Sequence, residues 1–208
     1  MITATINHSL EAEISTVRGV VRKYDWYLQM GYPAENIRLP SGVTKDSTDE
    51  DVANAVRKEY DLDAYSAYAQ QLLAVWPAFQ PGFAEMKKVS SFDLKDAYEI
   101  VLTKYGTGGG YNPARSLIVL RMAENIEKSA AVAAHEIVHM AIDTYIKAFG
   151  VPHWHKERLV DLLVERYFPG KKMMQKAPAS AVAAVDPAYE SSFPDIKTIA
   201  KAIGVKNY

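Results

Sequence analysis

The chain has 208 residues, of which 49% are hydrophobic and 24% are charged, a composition typical of a globular protein. Its 24 Lys and Arg residues nearly balance its 25 Asp and Glu residues, so the sequence has no excess of basic residues of the kind that binds nucleic acid. The sequence has no cysteine, which excludes thiol catalysis and thiolate metal ligands, and no uncharged stretch approaches the ~20 apolar residues that span a bilayer.

The amino-terminal part of the sequence has a helical pattern. Its first residues, MITATINHSLEAEIS, lack the basic start and apolar segment of a secretory signal peptide, so we expect a cytoplasmic protein, or a secreted one if a signal has been removed. Apolar residues at helical spacing predict helices over 14–30, 49–60 and 64–76. Residues 1–90 are therefore predicted to form a mainly helical region.

Strand patterns begin after residue 91. Residues 98–105 alternate between apolar and polar side chains, and the run SLIVLRM at 116–122 is short and apolar. The glycine-rich stretch 106–110 lacks the Lys-Ser/Thr of a phosphate-binding loop, and we predict a flexible hairpin loop there. The sequence thus predicts a small sheet in this region.

The clearest helix is predicted after Asn125. It is rich in alanine, can be capped by Asn125 or Ser129, and meets stop signals at Gly150 and Pro152. A second helix is predicted over 156–168. Residues 171–208 begin with a loose Ala/Pro-rich stretch and end in a short amphipathic helix over 195–203.

The first of these helices contains the sequence HEIVH, in which His135, Glu136 and His139 form an HExxH motif. Residues four apart lie about 40° apart around a helix and ~6 Å along it, so both imidazoles can converge on one ion. Glu136 lies on the neighbouring stripe, where it can reach a water molecule on the metal without binding the metal itself. Two neutral imidazoles in this geometry predict one Zn²⁺ ion per chain.

A catalytic zinc ion needs a third protein ligand. The metzincin pattern is absent, because Ile142 and Tyr145 stand where it requires Gly and His. Glu157 and Asp161 instead lie on one face of the next predicted helix, so Glu157 can bind the ion and Asp161 can accept the outward N–H of a ligating imidazole. Glu165, two turns beyond Glu157, remains an alternative ligand.

An HExxH motif followed after a short connection by Glu-x-x-x-Asp resembles the gluzincin branch of zinc metallopeptidases, the thermolysin-like group, over about residues 97–168. The resemblance implies that His135, His139 and Glu157 bind zinc, that Glu136 is the general base, and that Asp161 orients a zinc-binding histidine. It also implies that one strand is the edge of the sheet that pairs with an extended peptide substrate. This substrate edge strand consists of Leu117, Ile118, Val119, Leu120 and Arg121.

The resemblance implies an α+β fold with a zincin-like catalytic core over 91–170. The core would hold the small sheet with its edge strand, the zinc helix and the following Glu helix. Residues 171–208 would form a second wall of the cleft or cover it as an inhibitory segment. The implied function is a zinc-dependent metallopeptidase with a peptide or protein substrate, and the alternative is a catalytically inactive zincin-like interaction or regulatory protein.

The residue that stabilises the developing oxyanion stays open between several candidates. His153 and His155 lie in the connection beside the site and can donate a hydrogen bond, although either can also be an ordinary surface residue. Three tyrosines compete for the same role: Tyr111, Tyr145 and Tyr167. Apolar side chains expected beside the metal would favour an apolar residue after the scissile bond, namely Val132, Val138 and Leu159 or Val160.

Overall fold

The computed structural model describes residues 1–171 and 177–205 and shows an α+β protein. Its strands are β1 (Thr3–Asn7), β2 (Ala97–Thr103), β3 (Gly109–Asn112) and β4 (Leu117–Arg121). Its α-helices are α1 (Leu10–Arg22), α2 (Tyr24–Gln29), α3 (Asp49–Glu59), α4 (Leu62–Val75), α5 (Gln80–Met86), α6 (Ile126–Phe149), α7 (His153–Tyr167), α8 (Ala179–Ser192) and α9 (Ile196–Ile203). None of the described helices has the length and apolar character needed to cross a membrane.

The four strands form one mixed sheet in the order β1-β2-β4-β3. β1, β2 and β4 run parallel, and β3 runs antiparallel to β4. The prediction that Leu117–Arg121 is an edge strand is therefore wrong, because this strand, β4, pairs with β2 on one side and with β3 on the other. The edge next to β4 is Gly109–Asn112, whose first two residues the sequence placed in a hairpin loop.

The reason for this difference lies in the path of the chain between β2 and β4. The chain leaves β2, forms β3 at the outside of the sheet, and turns through a 3-10 segment at Pro113–Arg115 and Ser116, whose φ is 49°. It then returns as β4 between β2 and β3. Because β3 is half glycine and glycine has low strand propensity, its pattern did not indicate a strand.

One face of the sheet packs on α6. Alternate residues of the two central strands, Ile100, Leu102, Ile118 and Leu120, are fully buried in the same apolar cluster as the alanine-rich part of α6. This cluster also takes in side chains of α4 and α5 from the amino-terminal region and of α8 and α9 from the carboxy-terminal segment. These are Tyr65, Leu72 and Phe83 on one side and Val185, Ile196 and Ile199 on the other. Residues of all three predicted segments thus share one core.

Several elements differ in detail from their predictions. The predicted 14–30 helix is two helices, α1 and α2, which are separated at Lys23. β1, α5 and α8 were not predicted: β1 is rich in Thr, α5 contains Pro81 and Gly82, and α8 lies in the Ala/Pro-rich stretch and contains Pro187. The predicted helix over 195–203 is present as α9. Within the predicted 171–208 segment, residues 172–176 and 206–208 lie outside the described residues.

Candidate metal centre

The candidate site is formed by two consecutive helices, α6 and α7. The Asn125 side chain accepts a hydrogen bond from the Lys128 backbone N–H and caps the start of α6, as predicted. Gly150, with φ of 60°, ends α6 in the left-handed conformation that glycine adopts without strain. The chain then reverses, and α7 packs along α6 with Glu157 facing the HExxH motif.

The structure brings His135, His139 and Glu157 together. The Nε2 atoms of the two histidines are 3.0 Å apart, and Glu157 Oε2 lies 3.2 Å from His139 Nε2 and 3.6 Å from His135 Nε2. Ligand atoms arranged tetrahedrally around zinc at bonds of about 2.1 Å lie about 3.4 Å from one another. The three atoms therefore already have the spacing of three corners of a zinc tetrahedron, and this group could hold a metal ion.

Glu136 lies beside this triad and against the edge strand. The residue is only 7% exposed, and its carboxylate contacts the backbone of Gly109 in β3. A Cβ atom built on Gly109 would overlap Glu136 Oε1 and would lie 2.6 Å from Cγ1 of Val132. Only a glycine at this position of β3 lets the carboxylate and the strand approach so closely.

Asp161 lies one turn of α7 beyond Glu157 and faces the other nitrogen of His135. Its Oδ1 is 3.8 Å from His135 Nδ1, which is too long for a hydrogen bond. The carboxylate therefore acts on this imidazole through its charge. On the second histidine, the ring of Tyr111 stacks almost parallel to His139, with ring centroids 5.1 Å apart.

Lys156 brings a positive charge into the site. Its Nζ is 3.0 Å from Glu157 Oε1, and it lies over the Tyr111 ring at 5.6 Å. The two carboxylate oxygens of Glu157 are thus divided, with Oε1 facing the ammonium group and Oε2 facing the imidazoles. This arrangement leaves one oxygen of Glu157 directed at the candidate ion.

The site takes three carboxylates out of water. Glu136, Glu157 and Asp161 are each at most 7% exposed, and the nearby cation Lys156 is mostly buried with them. The imidazole of His135 faces the carboxylates of Glu157 and Asp161, so ionisable acids and imidazoles meet in the protein interior. Buried charge is costly unless it is paired or binds a metal, so a divalent cation would complete this site.

The pKa shifts follow from this burial and this charge. Burial raises the pKa of Glu136 to about 7 and lowers the pKa of His139 to about 4, so His139 is neutral, which is the form that binds metals. Burial opposes the charged forms of Glu157 and His135 as well. The imidazoles and Lys156 nevertheless lower the pKa of Glu157, and the carboxylates raise the pKa of His135.

Several predicted site residues do not join the triad. Glu165 is exposed and lies outside the ligand group, which favours Glu157 as the ligand. His155 Nδ1 is 2.9 Å from the backbone carbonyl of Ile203, so its ring contacts α9. Of the two predicted donors only His153 reaches the site, with Nδ1 3.7 Å from Glu157 Oε1. Tyr167 packs against Phe92.

The predicted apolar lining is also largely absent. Val138, Leu159 and Val160 are fully buried in the core, so they do not line a pocket beside the metal. Val132 does lie beside Glu136, where it contacts Gly109. The helical spacing placed Val138, Leu159 and Val160 on the correct helices. It could not show whether their side chains face the core or line a pocket.

Two residues of the site were missed from the sequence. Lys156 was not considered as a partner of Glu157, although it is the adjacent residue. Tyr32 comes from the turn after α2, more than a hundred residues before the motif, so no spacing could indicate it. The Tyr32 ring lies 6.2 Å from the ring of His153. Burial raises the pKa of its phenol, and the charges of the Glu157 and Glu136 carboxylates raise that pKa further.

Comparisons of the chain with family models, with curated proteins and with solved structures find no match. The resemblance to gluzincins therefore depends on the motif residues and their spacing alone.

Proposed function

We propose that this chain is a zinc-dependent peptidase in which His135, His139 and Glu157 hold the metal and Glu136 is the general base. The observation that carries the proposal is the tetrahedral spacing of the three ligand atoms, with an acid of pKa about 7 buried beside them. The zincin-like character of the core, taken from the motif, belongs to the same proposal.

The donor set favours zinc over the common hard cations. Two imidazole nitrogens and one carboxylate oxygen suit Zn²⁺, whereas Ca²⁺ and Mg²⁺ prefer six or more oxygen ligands. The set also resembles the two-histidine, one-carboxylate arrangement of iron(II) sites. Glu136 favours hydrolysis over iron chemistry, because a carboxylate beside the metal ligands can accept a proton from the attacking water.

Zinc, when bound, would polarise the scissile carbonyl and lower the pKa of water towards ~7. Glu136 would take a proton from the attacking water and pass it to the nitrogen of the leaving amine. A pKa of about 7 suits both steps, since the carboxylate can accept and release a proton near neutral pH. Gly109 holds the carboxylate in place from the side of the edge strand.

Two phenols are candidates for stabilising the oxyanion. Burial raises the pKa of both Tyr32 and Tyr111, so each keeps its proton at neutral pH and can donate a hydrogen bond. His153 offers a third donor beside Glu157. The peptide itself would pair with β3, which among the described residues pairs with β4 alone.

Metal analysis combined with a cleavage assay tests this proposal. Protein purified without added metal should contain about one zinc per chain and should hydrolyse unstructured peptides until a chelator is added. His135→Ala and Glu157→Ala should lose the metal, whereas Glu165→Ala, an exposed carboxylate on the same helix, should keep it. Iron in place of zinc, with no hydrolysis, would instead indicate redox chemistry. Bound zinc with no hydrolysis of any peptide would favour the alternative function, that of a catalytically inactive interaction or regulatory protein.

A further inference from the structure

Aromatic side chains from the amino-terminal region gather at the start of α7, beside the candidate metal centre. The Trp26 and Tyr32 rings each lie 6.2 Å from the His153 ring, and Tyr27 lies 5.3 Å from Trp26 and 5.7 Å from Tyr32. We call the surface formed by Trp26, Tyr32 and His153 the aromatic rim. It joins α2 and its following turn to the helix that carries Glu157.

The aromatic rim reaches the metal ligands through His153. His153 contacts Trp26 on one side, and its Nδ1 is 3.7 Å from Glu157 Oε1 on the other. Glu157 Oε2 is in turn 3.2 Å from His139 Nε2. A peptide whose scissile bond lies at the ligands advances about 3.3 Å per extended residue, so it would reach the rim within a few residues.

Trp26 remains 44% exposed even though the rings of Tyr27 and His153 lie 5.3 Å and 6.2 Å from its own. An indole ring is among the most costly apolar groups to leave in water, and exposed apolar surface beside a site commonly marks ligand binding. Leu28 on the same helix is similarly exposed, at 42%. It lies about 200° around the helix axis from Trp26, so it belongs to a different face.

We propose that the aromatic rim binds a large apolar side chain of the peptide substrate, close to the scissile bond. This inference rests on the proposed function and defines its substrate class: peptides with an aromatic or large aliphatic residue at one fixed position. Ring edges and the exposed part of the Trp26 indole offer dispersion and edge-to-face contacts to such a side chain.

Matched peptides test the inference. A library of blocked octapeptides would first locate the position at which zinc-loaded wild type prefers a large apolar residue. Two peptides that differ only there, Phe against Ala, would then be compared by kcat/KM. We expect Trp26→Ala to lower kcat/KM for the Phe peptide about tenfold and to leave the Ala peptide within about twofold. Leu28→Ala should change neither value, and zinc content should be equal in all three proteins.

A binding measurement separates failure of this inference from failure of the proposed function. Calorimetric titration of zinc-loaded Glu136→Gln with the two peptides should show tighter binding of the Phe peptide, lost in the Trp26→Ala, Glu136→Gln double variant. If the Phe peptide binds selectively but wild type hydrolyses neither peptide, the rim is a binding site for apolar side chains and the proposed peptidase function is wrong. The inference would be wrong if the Trp26→Ala variant cleaved or bound the Phe peptide as selectively as the parent protein does. It would also be wrong if the parent protein showed no preference between the two peptides.

Discussion

At the scale of single residues, Glu136 is the side chain on which the proposed chemistry depends. It lies beside the ligands rather than among them, so its removal separates catalysis from metal binding. We expect Glu136→Gln to keep about one zinc per chain and an unchanged fold, and to lose peptidase activity by about 10²–10⁴-fold. Zinc content by elemental analysis and kcat on one peptide measure this. Full turnover by the variant would exclude the general-base role.

Lys156 leads to a second prediction at this scale. Its ammonium group holds Glu157 Oε1, so its removal frees that oxygen to bind the metal as well. We expect Lys156→Met to retain metal but to lose activity about 10–100-fold, as other outer partners of metal ligands do. The Co²⁺-substituted variant should show weaker visible absorption, because the metal gains a ligand. Lys156→Arg, which keeps the charge, is the control. If the cobalt spectrum of Lys156→Met were identical to that of wild type, Lys156 would not keep Glu157 Oε1 away from the metal.

The residues of the site differ in how far the sequence could predict them. His135, Glu136 and His139 follow from helical spacing within a well-capped helix, and Glu157 from its place on the next helix. Tyr32 could not be found in this way, because its approach depends on how a distant turn packs. His155 was assigned to the site from proximity in sequence alone, but its ring bonds to the carboxy-terminal helix.

At the scale of elements, the approach of β3 to α6 is the contact that positions Glu136, the proposed base. A methyl group on Gly109 would meet both Glu136 and Val132, so either the strand or the carboxylate must move. We expect Gly109→Ala to retain zinc, to lose activity at least about tenfold, and to lower the free energy of unfolding by about 1–3 kcal/mol.

Gly110→Ala is the matched control for this prediction. Gly110 is the next residue of the same strand, and a Cβ there meets no atom within 4 Å. Activity and unfolding free energy of this variant should stay close to wild type. Equal losses in the two variants would show that the strand responds to any side chain, and that Gly109 does not position Glu136.

The helices of the fold were easier to predict than its strands. Caps and stop residues define α3, α6 and α9 locally, whereas the place of a strand in a sheet depends on partners far away in the sequence. β4 has the apolar composition of a buried strand, which is consistent with its central position. The sequence did not indicate that β3 forms the sheet edge next to β4, since no side-chain pattern marks a strand that is half glycine.

At the scale of the whole molecule, the candidate metal centre is supported by parts of the chain that are distant in sequence. β1 at residues 3–7 pairs with β2 at 97–101, and α4, α5, α8 and α9 bury side chains in the core that holds α6. This packing keeps the ligand atoms together and buries the carboxylates of Glu136, Glu157 and Asp161 beside them. The stability of the zinc-free protein should therefore depend on pH through these buried acids.

Glu136 makes this dependence measurable. Burial raises its pKa from 4.5 to about 7, so the folded zinc-free protein holds this proton more tightly than the unfolded chain. The stabilisation is complete below pH 4.5 and is lost as the pH rises through about 7. A glutamine at this position cannot ionise and does not suffer the loss. Between pH 4.5 and pH 8, we thus expect the free energy of unfolding of Glu136→Gln to rise by about 3 kcal/mol relative to that of wild type.

Urea unfolding in the presence of a chelator, at several pH values across this range, measures the difference between the two proteins. Other titrating groups of the site are common to both, so to a first approximation they cancel in the difference. Glu165→Gln, which removes an exposed carboxylate from α7, should track wild type at every pH. A difference between Glu136→Gln and wild type that stays constant with pH would mean that Glu136 ionises freely in the folded protein, and that the site does not bury its charge as the structure indicates.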